Sequence, residues 1–188
     1  DANGCTEIEA NITIPAVAAT LTAFTVTSNY NSWGVECFND NNGTATVSTF
    51  GGTGTLVYFW SNGQSTQTAI NLIANTLLVP SYNVLVTDAN GCKTTASAII
   101  STPDALVLTP TITDASCNGL ADGEATLLGG VAGGTPFIGG IFQYEWHDLS
   151  TNIDYTGLSA SSSYDVEVTD ANNCTATALI TINEPATL

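Results

Sequence analysis

The clearest pattern in the sequence is a strict alternation of apolar and polar residues ahead of Cys174. Over residues 164–169 the apolar residues Tyr, Val and Val alternate with Asp, Glu and Thr, and residues 175–182 alternate again with Ala and Ile at the apolar positions. A period of two residues is typical of a strand with one buried face. The Asn172-Asn173 pair between the two segments tolerates positive φ and favours a two-residue turn. We therefore predict a β-hairpin that buries one face.

The same stretch occurs twice in full and once in part. Residues 82–92 repeat residues 164–174, and residues 1–5 repeat the end of the motif. The resulting period of somewhat more than eighty residues is too long for a solenoid unit and fits a small β-sandwich. We predict an all-β chain of tandem sandwich domains with about seven strands each. Residues 1–15 are expected to be the C-terminal strand of a preceding truncated repeat, residues 16–103 the first repeat and residues 104–188 the second.

Short apolar runs separated by Gly and Asn turn signals predict the strands of the first repeat. They are placed at residues 20–28, 44–50, 55–61, 67–79, 82–88 and 93–101. Trp60 and Trp146 fall on apolar faces and are expected in the two cores, whereas Trp33 lies in a polar loop. Tyr82 and Tyr164 stand at strand starts, where a tyrosine hydroxyl can bond back to the backbone.

The charge of the chain excludes some classes of binding partner. One basic residue, Lys93, stands against 17 acidic residues, and the formal net charge is −16. Nucleic acid and anionic lipid would be repelled, so neither is expected as a partner. No run of about twenty apolar residues occurs, so no membrane insertion is predicted. A strongly acidic surface instead suits an extracellular chain that must stay soluble.

The five cysteines recur in step with the repeat. They are Cys5, Cys37, Cys92, Cys117 and Cys174. Because each full repeat holds one early and one late cysteine at nearly matched separations, we predict the disulfides Cys37–Cys92 and Cys117–Cys174, each worth roughly 4 kcal/mol in the chain-entropy model. Cys5 aligns with the late cysteines and is expected to pair upstream, outside this chain. Reduced cysteines in a cytosolic protein are the alternative; zinc is not favoured, because the cysteines are far apart and His147 is the only histidine.

Candidate chemistry is sparse. A lone histidine offers no oriented base beside a nucleophile, so no catalytic residue and no enzymatic activity are predicted. The Asp-Ala-Asn turns gather oxygen atoms, and the interpretation that we favour is that these side chains cap the turn backbone. The alternative hypothesis is a calcium site at Asp88 and Asn90 and at Asp170 and Asn172. No other cofactor is expected.

Several motifs together resemble a known family. They are Cys-x5-Gly-x-Ala at residues 37–45 and 117–125, Gly-Gly-Thr at 51–53 and 133–135, Tyr-x-Trp-Ser-Asn-Gly at 58–63, the hairpin motif ending in Cys92 and Cys174, and Glu184-Pro185. The chain resembles the SprB-type repeat of very large cell-surface adhesins in gliding bacteria of the Bacteroidota. It is more distantly similar to polycystic-kidney-disease (PKD) domains, which are Ig-like β-sandwiches.

This resemblance implies an exported protein at the cell surface, carried by type IX secretion. The expected function is that of a structural and adhesive repeat segment in a filament or adhesin, acting in gliding motility or attachment. Neighbouring repeats of the same polypeptide or filament and surface polysaccharide are the expected partners. The alternatives are a glycan- or ligand-binding module and an accessory domain of a secreted enzyme, which the flanking sequence would distinguish.

Overall fold

The computed structural model describes residues 19–74, 81–160 and 162–187. All regular structure in these ranges is antiparallel β-sheet, as the alternating pattern predicts. The described part of the chain has no helix of the length and hydrophobicity needed to cross a membrane. The expected strand at residues 1–15, with Cys5, lies outside the described residues, and the domain boundaries assigned from the sequence stay a prediction.

The first repeat folds as two three-stranded sheets with a shared core. Its strands are β1 (Thr22–Thr27), β2 (Gly43–Phe50), β3 (Val57–Trp60), β4 (Thr68–Leu72), β5 (Tyr82–Thr87) and β6 (Lys93–Ala98). One sheet has the order β1-β2-β4 and the other β3-β5-β6. These orders correspond to the A-B-E and C-F-G strands of an Ig-like sandwich. The described residues of this repeat hold six strands rather than about seven, and the segment predicted at residues 67–79 contributes one of them, β4.

The second repeat has the same arrangement with interrupted edge strands. Its strands are β7 (Val107–Leu108), β8 (Thr111–Thr113), β9 (Gly123–Thr126), β10 (Val131–Ala132), β11 (Gln143–Trp146), β12 (Asp154–Leu158), β13 (Ser163–Thr169) and β14 (Thr175–Thr181). The sheets are β8-β9-β12, β11-β13-β14 and the short pair β7-β10. Pro110 cannot donate a ladder hydrogen bond, which explains the break between β7 and β8.

The hairpin motif has the buried face that its alternation predicts. Along β13 the burial alternates, with Tyr164, Val166 and Val168 inside and Asp165 and Glu167 in solvent. The turn is larger than expected. Pairing ends at Thr169↔Thr175 in one hairpin and at Thr87↔Lys93 in the other, so the connection has five residues instead of two. The expectation of a two-residue turn is therefore wrong.

Each core is built around one tryptophan, as expected. Trp60 and Trp146 are 0% and 1% exposed. Their indole N–H groups donate to the carbonyl oxygens of Thr66 and Asn152, both at 2.9 Å. The predicted tyrosine bonds are also present in both repeats: the Tyr82 hydroxyl meets the backbone N–H and C=O of Ile73, and the Tyr164 hydroxyl those of Ser159.

Candidate functional site at the junction between the repeats

The Asp-Ala-Asn loop of the second repeat is organised by a fully buried carboxylate. Asp170 is 0% exposed. Its Oδ1 accepts the backbone N–H groups of Asn172 at 2.8 Å and Cys174 at 2.9 Å. Its Oδ2 accepts the N–H of Thr135 at 2.7 Å. The carboxylate thus accepts two N–H groups within the five-residue loop and fixes the loop against the Gly-Gly-Thr turn.

Asp88 makes the equivalent bonds in the first repeat. Its carboxylate accepts the N–H groups of Asn90 at 2.9 Å, Cys92 at 2.8 Å and Thr53 at 2.9 Å. Desolvation acts to raise the pKa of Asp88, but these backbone donors outweigh it and hold the pKa below its ordinary value of 3.8. The loop is therefore the same structural unit in both repeats.

Close packing explains why glycine occupies the centre of the Gly-Gly-Thr motif. Gly134 has a φ of 61°. A Cβ atom there would lie 2.9 Å from Oδ2 of Asp170. Only glycine adopts this backbone conformation without strain and leaves room for the carboxylate.

We expect Asp170→Asn to lower the free energy of unfolding by about 1–3 kcal/mol, because one of the three N–H donors would then face an amide N–H₂ group. Chemical denaturation measures the change. Asp165→Asn on the exposed face of β13 is the matched control, with an expected effect within about 0.5 kcal/mol. Equal losses in the two variants would contradict the role assigned to the buried carboxylate.

The lowered pKa of Asp88 predicts a pH dependence. A carboxylate whose pKa falls on folding stabilises the folded state fully above its unfolded pKa and loses that contribution as the pH falls through the folded pKa. The stability difference between the wild type and Asp88→Asn should therefore be constant above about pH 5 and shrink below the ordinary value of 3.8. Urea titrations of both proteins between pH 7 and pH 2 measure it, and a difference that grows in acid would contradict the assignment.

Asn172 extends from this loop into the first repeat. Its side-chain amide donates to the carbonyl oxygen of Glu36 at 2.9 Å, and its Oδ1 accepts the side-chain amide of Asn31 at 2.5 Å. The residue is only 5% exposed. A buried amide with both ends satisfied by the neighbouring repeat fixes the contact between the repeats in one geometry.

A disulfide closes the same contact. Cys37 of the first repeat is bonded to Cys174 of the second, with a Cα–Cα distance of 5.7 Å and a sequence separation of 137. The predicted pairs Cys37–Cys92 and Cys117–Cys174 are therefore wrong. Cys92 and Cys117 are free and exposed.

The direction of β6 explains the correction. Cys92 immediately precedes β6, whereas the carbonyl of Ser101, three residues past its far end, accepts the N–H groups of Gly34 and Val35 near Cys37. The two cysteines of one repeat thus lie at opposite ends of a strand that is about 20 Å long. A disulfide needs Cα atoms within about 7 Å. The matched spacing of the cysteines identifies equivalent positions in the two repeats. It does not indicate at which end of the sandwich each cysteine lies.

Of the four residues proposed to bind calcium, three have side chains that make other hydrogen bonds, and the fourth is exposed. The oxygens of Asp88 and Asp170 accept backbone N–H groups, Asn172 bonds across the junction and Asn90 is exposed. In the described ranges no group of three or more His, Cys, Asp and Glu side chains could hold a metal ion. The bonds from the two Asp carboxylates to backbone N–H groups are those that the turn-capping interpretation predicts. The calcium hypothesis itself stays a prediction.

The remaining sequence candidates lie apart from the junction. His147 is exposed and contacts the rings of Tyr155 and Tyr164 at centroid distances of 5.5 and 5.3 Å. Asn31 and the carbonyl of Glu36 are junction groups that the sequence reasoning missed. Asn31 belongs to a loop that has no counterpart in the second repeat, and a backbone carbonyl carries no sequence signal, so repetition alone could not indicate either one.

Comparison with known families agrees with the motifs. Two segments of the chain, residues 34–65 and 109–151, match the SprB repeat family. The chain therefore matches the SprB repeat family at two places. Each matched segment contains the early cysteine and the core tryptophan of its repeat, so the match covers the Cys37 side of the junction. SprB repeats belong to surface proteins of the adhesin type, and the disulfide agrees with an extracellular setting.

Solved structures show only a loose likeness to this chain. The three N-terminal domains of the bacteriophage RB49 Highly Immunogenic Outer Capsid protein (Hoc) are 20% identical with a TM-score of 0.44, over 87% of this chain and 59% of that one. Murine CEACAM1b is 13% identical with a TM-score of 0.32, over 88% of this chain and all of that one (100%). No curated protein sequence matches the chain.

Proposed function

We propose that the chain is a structural and adhesive segment of a large bacterial cell-surface filament or adhesin, exported by type IX secretion and acting in gliding motility or attachment. Its task in the filament is to be a stiff link of defined length. The Cys37–Cys174 bond between successive repeats is the observation that carries this proposal. A covalent bond there, together with the chain connection at residues 101–106, joins the two repeats at two separate points.

The noncovalent contacts of the junction support the same function. Because Asn172 and Asn31 are bonded across the contact, rotation of one repeat against the other would leave buried polar groups without partners. The linker is also held, since the Asp104 carbonyl accepts the N–H of Gly134. The two covalent connections and the buried amide together restrict bending between the two repeats.

The charge of the chain supports a shaft that stays separate from its neighbours. A net charge of −16 on 188 residues repels other copies along their sides. The tandem design supports a mechanical function over catalysis, because repetition adds length whereas an active site is needed once.

Small-angle X-ray scattering of the oxidised chain tests the proposal. Two repeats held end to end, with centres about 35–40 Å apart, give a radius of gyration of about 21–24 Å, against about 16 Å for a single compact particle of this length. We expect the extended value. We also expect the Cys37→Ser/Cys174→Ser double variant to give a broader distribution of interatomic distances, because one of the two covalent connections is lost.

The Cys92→Ser/Cys117→Ser double variant is the matched control, since it removes two cysteines without touching the junction. Measured on the monomer fraction from size-exclusion chromatography, its scattering should superimpose on that of the wild-type monomer. A compact particle, or a wild-type distribution as broad as that of the junction variant, would overturn the proposal.

A further inference from the structure

The two free cysteines occupy positions that are equivalent to the two bonded ones. Cys92 follows Asp88 in the first repeat as Cys174 follows Asp170 in the second. Cys117 precedes β9 as Cys37 precedes β2. In both cases the carbonyl oxygen of the cysteine accepts the N–H group of the residue three positions further on. Within the described chain, each repeat therefore uses one cysteine of the junction type and leaves the other exposed.

The entry end of the first repeat presents the same face that the second repeat uses at the junction. Asp88 holds Asn90, Cys92 and Thr53 through the three bonds that Asp170 makes to its own loop. Asn90 corresponds to Asn172, the residue that bonds across the junction, but it is exposed. The receiving half of a junction is thus already formed there, with a free thiol and, among the described residues, no partner bonded to the Asn90 side-chain amide.

The exit end of the second repeat presents the opposite half. A groove of about 490 Å³ beside Cys117 is lined by Ser116, Asn118 and residues 185–187. At the junction the corresponding groove, lined by Cys37, Phe38 and residues 103–106, is covered by Gly134, Cys174 and Thr175 and measures about 210 Å³. The groove at the exit end has the same cysteine and the same proline-led linker, and its lining includes no described residue of an Asp-Ala-Asn loop or a Gly-Gly-Thr turn.

We propose that both ends of this tandem pair are docking faces for another repeat of the same kind, joined by the disulfide seen between Cys37 and Cys174. Cys92 receives the exit cysteine of one repeat, and Cys117 bonds the entry cysteine of another. A second copy of this chain supplies both faces. The contact uses two different surfaces, so it propagates head to tail as an open linear array instead of closing as a dimer.

One part of the existing junction is not repeated at the exit end. Nine residues separate β1 from Cys37 but only three separate β8 from Cys117, so the loop that holds Asn31 has no counterpart. The carbonyl oxygen of Glu36, the other acceptor at the junction, corresponds to that of Ser116. We therefore assign the Asn90 amide to the Ser116 carbonyl in the new contact.

The bond forms by thiol–disulfide exchange with a small disulfide such as oxidised glutathione. The Cys117 thiolate first attacks the oxidant and becomes a mixed disulfide, releasing one reduced glutathione. The Cys92 thiolate then attacks the Cys117 sulfur, the bond to glutathione breaks and a second glutathione leaves as a thiolate that takes up a proton. Two cysteine thiols are oxidised and one glutathione disulfide is reduced.

Equilibration of the full chain in a glutathione redox buffer at high protein concentration tests the inference. Cys5 is replaced by serine so that only the two exposed cysteines compete, and peptides are mapped without reduction. Random pairing would give as many Cys92–Cys117 links as the two symmetric links together. We expect the Cys92–Cys117 link to exceed their sum by about ten-fold, because only that pairing brings complementary faces together.

Asn90→Ala should reduce this excess several-fold, and Asn62→Ala, an exposed turn asparagine elsewhere in the same repeat, should leave it unchanged. Random pairing, or cysteines capped by glutathione with no protein–protein link, would overturn the inference. The inference rests on the proposed function, but the two are tested separately, since scattering examines one molecule and the exchange experiment examines the contact between two.

Discussion

Cys37→Ser should lower the free energy of unfolding of each repeat by about 4–5 kcal/mol. With one repeat folded, the Cys37–Cys174 bond keeps the unfolded chain of the other repeat in a closed loop, which reduces the conformational entropy gained on unfolding. Cys174→Ser should have the same effect, because either change removes the same bond. Thermal and urea denaturation under oxidising conditions measure the loss, and reduction of the wild type should reproduce it.

The free cysteines provide the control for this prediction. Cys92→Ser and Cys117→Ser should change the stability of the monomer by no more than about 0.5 kcal/mol, because both thiols are exposed and unbonded. If Cys92→Ser were as destabilising as Cys37→Ser, the bond would lie within the first repeat and the junction assigned here would be wrong. Peptide mapping distinguishes the same two outcomes directly.

Trp60→Ala should cost about 3–5 kcal/mol. The side chain is 0% exposed between the two sheets, and its removal leaves a cavity and takes the indole donor away from the Thr66 carbonyl. Trp146→Ala should have an effect of the same size in the second repeat, where the indole bonds Asn152. Since the two cores are separate clusters, each substitution should lower the melting temperature of its own repeat first.

Phe59→Ala is the matched control in the same strand. Its ring is 61% exposed on the outer face, so its loss should cost less than about 1 kcal/mol. Thermal melting followed by circular dichroism and fluorescence measures the stability lost in the Trp60→Ala and Phe59→Ala variants. An equal loss at both positions would mean that the strand does not bury alternate residues.

The repeated sequence predicted most of the fold, because the relevant information is local. Alternation along residues 164–169 indicates which side chains enter the core, and the aromatic residues at 60 and 146 fall on those faces. The role of Tyr82 and Tyr164 was also accessible, since a tyrosine at a strand start needs only a nearby backbone group. The five-residue turn was not predicted, because it depends on N–H bonds to one carboxylate.

The junction could not be predicted from the same information. The cysteine pairing depends on which end of the sandwich each loop reaches, and that follows from strand direction and not from spacing. Cys37 and Cys92 are separated by a full strand, while Cys37 and Cys174 are neighbours despite a sequence separation of 137. The sequence did contain one useful signal: Gly51–Thr53 and Gly133–Thr135 recur beside the Asp loops whose carboxylates they bind.

The disulfide between the repeats also determines how the molecule carries tension. A pull applied to the two ends of the chain follows the shortest covalent route, which crosses from Cys37 to Cys174 and bypasses everything between them. The bypassed chain, with a sequence separation of 137, would otherwise contribute roughly 450–490 Å of contour length on full extension. Forced unfolding of either core therefore cannot release that length while the bond is intact, and only the chain outside it, before Cys37 and after Cys174, can be drawn out.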